Sequence, residues 1–127
     1  MEYGFSRTVD LSYDAAVTRV TEELKKEGFG VLTTIDVKAT LKQKINVDFT
    51  RYVILGACNP PLAHKALLTE EQVGLLLPCN VIVYEKEGTT VVAAFDPMLM
   101  VSVIGKEAMR PIATEVKRKL ETVLRNL

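Results

Sequence analysis

The sequence predicts an α+β two-layer sandwich, a curved and mainly antiparallel sheet with helices packed on one face. Three observations carry that prediction. Strand-like apolar runs and helical patterns succeed one another as β-α-β-α-β-α-β-β-α along 127 residues. The stretch "CNVIVYEKEGTTVVAAF" (79–95) is a β-hairpin turning at Glu87-Gly88, which forces at least one antiparallel pair. Amphipathic helices near both ends need a common sheet face to pack on. A purely parallel doubly wound fold is disfavoured, because the closing hairpin breaks the alternation. No linker, repeat or low-complexity segment divides the chain, so residues 1–127 are expected to form one domain.

The elements follow in order. Residues 2–9 read as a weakly patterned first strand. Ser12 can cap the next helix, Asp14 suits its positive end, and Leu11 can staple onto Ala16. Val17, Val20 and Leu24 recur at helical spacing. Glu22 and Lys26 lie four apart on the wet side, and Gly28 supplies a left-handed stop. "FGVLTTI" (29–35) reads as a strand with Phe29, Val31, Thr33 and Ile35 on one face. Asp36 can cap a short helix carrying Val37, Leu41 and Ile45. "RYVILGAC" (51–58) is a continuous apolar run, expected to be a central strand covered on both faces. Asn59 caps a helix over 60–68, with Pro60 at the first position, where a missing N–H costs nothing. After the hairpin, Asp96-Pro97 breaks the pattern, and "MLMVSVI" (98–104) reads as one more strand or a buried extended segment. The last helix begins near Lys106 or Glu107, tolerates Pro111 in its first turn, and carries Ile112, Ala113, Val116, Leu120, Val123 and Leu124 as its apolar stripe.

Composition narrows the function classes. Apolar residues make up 48% of the chain and mean hydropathy is +0.16, an excess that points to apolar surface buried against a second copy and hence to a homodimer. Sixteen basic and sixteen acidic side chains cancel, and "KRK" at 117–119 is flanked by Glu115 and Glu121, so no nucleic-acid partner is expected. The N-terminus "MEYGFSRTVD" has no signal-peptide pattern, and no apolar run approaches the ~20 residues of a membrane span. A cytoplasmic protein with reduced thiols and no membrane partner is the expectation. Two cysteines do not make a disulfide framework.

One place can hold chemistry. Cys58 ends an apolar strand one residue before a capped helix, whose partial positive charge favours thiolate. The same position also suits a small core residue. Cys79 follows Pro78 at the start of a strand. Were the strands at 51–58 and 79–86 parallel, the two thiols would lie about 20 Å apart at opposite rims. Antiparallel pairing, which the hairpin favours, brings both to one rim, and "TEEQVGLLLP" is long enough for the return. Cys58, Asn59 and Cys79 are therefore the candidate ligand-binding residues.

His64 falls roughly 130° from the centre of its helix's apolar face (Leu62, Ala63, Ala66, Leu67) and is expected at the surface. The spacing C-x5-H…C matches no standard zinc pattern. Met98 and Met100 are soft ligands that, with two thiolates, could hold Cu(I), although packing is the commoner use. "GFG" (28–30) is a helix stop and not a phosphate cradle, no serine sits in a nucleophile elbow, and Glu70-Glu71 and Glu85/Glu87 read as solvated charges. No catalytic residue is assigned.

"EGFGVLTTIDV", "CNPPLAHKAL" and "GLLLPCNVIVYE" together resemble the bacterial and archaeal family known as domain of unknown function 302, across almost the whole chain. The distinctive pieces are Cys58-Asn59-Pro60 with Ala63 and Leu67, then Leu77-Pro78-Cys79 with Val83, Tyr84 and Glu85. The resemblance implies helices on a curved antiparallel sheet, similar to the TATA-binding-protein arrangement, and homodimers. It includes both cysteines, leaves out Pro61 and His64, and implies no particular activity or cofactor. DNA binding does not follow from such a sheet.

The function expected is a small homodimeric binding module, not a turnover enzyme. Its two cysteines would line an edge pocket for a soft ligand, such as a thiophilic metal ion or haem iron, or handle sulfur. Two alternatives stay open: a thiol-redox or sulfur-transfer enzyme using Cys58 with Cys79 resolving, and a structural or interaction protein whose cysteines only pack.

Overall fold

The computed structural model describes residues 2–127. Its elements are β1 (Gly4–Val9), α1 (Tyr13–Lys26), β2 (Gly30–Asp36), α2 (Val37–Ile45), β3 (Tyr52–Cys58), α3 (Pro60–Thr69), β4 (Cys79–Lys86), β5 (Thr89–Phe95), α4 (Met98–Ile104) and α5 (Arg110–Arg125). Short 3₁₀ turns occupy Glu71–Leu76 and Glu107–Met109. The five strands form one open antiparallel sheet in the order β1-β5-β4-β3-β2, with the long helices α1 and α5 on one side. This is the α+β two-layer fold that the alternation and the hairpin predict.

Local signals set most boundaries. The Ser12 hydroxyl accepts from the Ala15 N–H at 3.1 Å, and Gly28 at φ +84° stops α1. The Asp36 carboxylate accepts from Ala39 N–H at 2.9 Å to start α2. Glu87 and Gly88 both have positive φ, the geometry of a two-residue hairpin turn that follows the strand twist.

Four expectations change. Residues 98–104 form a helix and not a strand. The side of β5 away from β4 is occupied by β1, so no sheet edge is free beside it. Asp96 Oδ1 instead accepts from the Met98 N–H at 3.0 Å, Met100 and Val101 are buried, and Gly105 at φ 75° ends the turn. In β2 the register shifts between Val31 and Thr33, so these residues fall opposite Ala57 and Gly56 and lie on different faces. β3 is an interior strand, yet only its Val53-Leu55-Ala57 side is covered, and Tyr52 and Ile54 remain half-buried on the other. Lys26 pairs with Glu23 at 3.0 Å rather than with Glu22, because Glu23 is the buried carboxylate that needs a counter-charge.

The covered face of the sheet holds the main core. Leu24, Leu55 and Leu120 are completely enclosed there, each contributing about 1.5–3 kcal/mol relative to exposure. A second apolar cluster, including Ala66, Val73, Met100, Val101 and Met109, lies under α3, α4 and the 3₁₀ turns. Between β1 and the end of α5, Arg7 Nη1 donates to the Leu124 carbonyl at 2.8 Å and the Arg125 carbonyl at 3.1 Å. The guanidinium thus adds a charged donor to carbonyls of the last helical turn, at the negative end of the helix.

Candidate functional site

Antiparallel pairing of β3 with β4 decides where the cysteines meet. Cys79 lies directly opposite Ala57, one residue before Cys58, so both cysteines reach the same rim of the sheet. Strand parity separates their directions. Cys79 shares the covered face with Ala57 and is buried, whereas Cys58 shares the parity of Gly56 and Ile54 and is half-buried. Both are free thiols.

The rim opens onto a cavity of about 250 Å³ that both cysteines line. Its position follows from the two apolar clusters. Phe29, Ala57, Cys79 and Val116 come from the main core, while Ala66, Leu77, Met100 and Ile112 come from the second cluster or pack against it. The cavity is the seam where the two packed bodies fail to fill space completely. Pro78, whose bond to Leu77 is cis, and Leu62 and Ala63 of α3 complete the wall near the cysteines.

Asn59 performs the capping that its position predicts. Its Oδ1 accepts from Leu62 N–H at 3.4 Å, and its Nδ2 donates to the Glu27 carbonyl at 3.3 Å, tying α3 to the end of α1. This changes what the helix start can offer. Pro60 and Pro61 have no N–H, Leu62 N–H is taken by Asn59, and Ala63 N–H bonds the Asn59 carbonyl at 2.8 Å. The N–H groups that would stabilise a thiolate or bound anion are therefore missing or occupied.

Burial in this apolar wall, with a smaller contribution from Cys58 nearby, pushes the Cys79 thiol up to about 11. The neutral thiol is its stable form at neutral pH. His64 is exposed on α3, and Leu67, placed on the inward face by spacing, is exposed as well, so α3 turns only Leu62, Ala63 and Ala66 inward. Met100 borders the cavity, whereas Met98 accepts a hydrogen bond from the Thr114 hydroxyl at 3.8 Å. Among the described residues, no three His, Cys, Asp or Glu side chains group as a metal centre.

Sequence reasoning weighed Met100 beside the two thiols, which is where it lies, but missed Leu32 and the α5 side of the cavity. Leu32 is the residue at the register shift in β2, a strand at the sheet edge, and it lines the cavity while remaining 67% exposed. The Ile112/Val116 spacing marked the inward stripe of α5, but nothing in that pattern indicates a void beneath it.

Five antiparallel strands, helices on one side and an apolar cavity at the strand ends define a small open-faced α+β domain. The chain belongs to the family described as "Domain of unknown function DUF302", whose model matches residues 5–127. A crystal structure of an uncharacterised conserved DUF302 protein from Bacillus stearothermophilus is similar, with a TM-score of 0.92 and 33% identity over 98% of each chain. No curated protein matches. Among the described residues, no helix is long and apolar enough to cross a membrane.

Proposed function

We propose that this chain is a ligand-binding module that works as a homodimer, with a small ligand held in the cavity at the Cys58–Cys79 rim. The observation that carries the reading is the cavity itself. About 250 Å³ of space lies at the strand ends, lined by both cysteines and by the thioether-bearing Met100. Sulfur and hydrocarbon make a soft, polarisable wall, suited to contacts with a small molecule or a thiophilic ion and poorly suited to general acid–base work. Cys79 is a weak candidate nucleophile, because burial pushes its thiol up to about 11 and leaves little thiolate at neutral pH. That disfavours the thiol-enzyme alternative with Cys79 resolving.

The homodimer is supported by the uncovered sheet face. Tyr52 and Tyr84 stack there with ring centroids 5.3 Å apart, beside Ile54, Ile82, Val91 and Ala93 by strand parity. At the β2–α2 side, Ile35, Ile45 and Phe49 add exposed apolar surface. A contiguous surface of this kind marks an interface more often than bare solvent.

Absorbance spectra and metal content of protein purified without added metal, followed by titration with Cu(I) and with small organic probes, test the reading. Saturable binding that is lost when Ala63→Leu fills the cavity supports it. A protein that carries nothing and takes up neither ion nor probe leaves only the packed-cysteine alternative.

A further inference from the structure

We infer that the cavity at the Cys58–Cys79 rim takes an uncharged, hydrocarbon-rich molecule of one or two fused rings or an equivalent short chain, with Leu32 as the side chain that closes over it. This inference rests on the binding reading above and narrows it to a ligand class.

Size sets the scale. A dry apolar cavity of ~150 Å³ accommodates benzene. The space here, about 250 Å³ and open past Leu32, has room for one ring more or for a short alkyl chain.

Polarity sets the class. Among the described residues, the polar side chain in the wall besides the two thiols is that of Asn59, and each end of its amide already has a partner, the Glu27 carbonyl and Leu62 N–H. Among the described residues, no Lys, Arg, His, Asp or Glu lines the space. The helix start beside it has no N–H to spare, since Pro60 and Pro61 carry none and Leu62 and Ala63 are bonded. A carboxylate or phosphate entering the cavity would lose its water without gaining partners. The raised Cys79 thiol reflects the same preference for a neutral occupant.

Leu32 is placed by the irregularity in β2. The register shift between Val31 and Thr33 takes it out of the regular pairing, and it borders the cavity with two-thirds of its surface still exposed. An extra residue at a sheet edge commonly re-aims a side chain in this way. Covering a bound hydrocarbon gives Leu32 the burial it otherwise lacks, whereas its contribution to the fold without ligand is small.

The 127-residue chain carrying ¹³C-methyl methionine provides the test. Met100 reports on the cavity, and Met109, buried in the second cluster but outside the lining, is the control. Indole and naphthalene are expected to shift the Met100 signal saturably and leave Met109 nearly unmoved. 2-Naphthoate should bind at least tenfold more weakly than naphthalene. Leu32→Ala should weaken naphthalene several-fold with no change in the urea midpoint of the free protein. Equal or tighter binding of the naphthoate, or an unaltered Leu32→Ala affinity, overturns the inference. If Cu(I) shifts Met100 while neutral probes do not, the inference fails and the binding reading stands. If nothing moves Met100, both fail.

Discussion

Met100 and Cys79 belong to separate apolar clusters and border the same cavity. The space between them is a packing defect shared by two cores, so substitutions in its wall should have opposite signs. Ala63→Leu, on the half-buried side of α3, adds hydrocarbon to a void in a helix-compatible residue. It should leave stability unchanged or raise it by about 0.5–1 kcal/mol while abolishing probe binding. Met100→Ala enlarges the void and should cost about 2–5 kcal/mol. Urea unfolding of both variants checks the pair, and similar losses from each would contradict a true cavity.

The Cys79 thiol makes stability depend on alkaline pH. A free thiol titrates near 8.5, whereas the folded one is pushed up to about 11 by burial. The folded state therefore holds its proton more tightly than the unfolded chain. The contribution is fully present below about pH 8.5 and is lost as pH rises towards 11, by up to roughly 3 kcal/mol. Tyr13 and Tyr52, also raised by burial, act in the same direction. Urea midpoints measured from pH 7 to pH 11 for the native chain and Cys79→Ala should diverge most at neutral pH and converge at the alkaline end. Parallel profiles would remove the buried-thiol argument.

Arg7 links the first strand to the last helix turn through the Leu124 and Arg125 carbonyls. Arg7→Ala should cost about 1.5–3 kcal/mol, the range for hydrogen bonds involving a charged group. Amide exchange in the last turn of α5 should accelerate selectively. Lysine at this position keeps the charge but not the fork, and should recover only part of the loss.

Gly56 faces Thr33 across the β2–β3 ladder, where a Cβ would collide with the Thr33 hydroxyl and approach Pro78 Cγ at 2.9 Å. Gly56→Ala should destabilise by about 1–3 kcal/mol through overpacking. Adding Thr33→Ala should return part of it, a non-additivity that a double-mutant cycle measures directly.

If the uncovered sheet face joins two copies, a charge at its centre should separate them. Ile82→Lys is expected to shift the mass in sedimentation equilibrium from dimer to monomer, with the circular dichroism spectrum retained. Native protein that sediments as a monomer at all accessible concentrations would refute the homodimer.

Elements with signals in consecutive residues were legible in the sequence. Ser12 with Gly28, Asn59 with Pro60, and Glu87-Gly88 each encode a boundary through their own hydrogen bonds or φ angles. The shared rim of Cys58 and Cys79 was legible only as the arrangement that the hairpin favours, and the pairing of β3 with β4 decides it. Residues 98–104 were not, since an unbroken apolar run has no period, and only the occupied edge of β5 excludes another strand. The shift at Leu32 was hidden because "GVLTTI" reads as regular alternation until its partner strand fixes the register. The cavity was hidden for a different reason. It belongs to no segment and arises only where two clusters meet.

The pairing of β1 with β5 has a consequence for how the chain is made. Residues 4–9 find their neighbours at 90–95, so β1 has no sheet partner until β5 has been translated. On the ribosome, the β3–β4–β5 meander emerges and can assemble first, and β1, made before it, docks later. A nascent chain stalled before residue 89 should therefore keep its first strand open to protease, and one released after α5 should not.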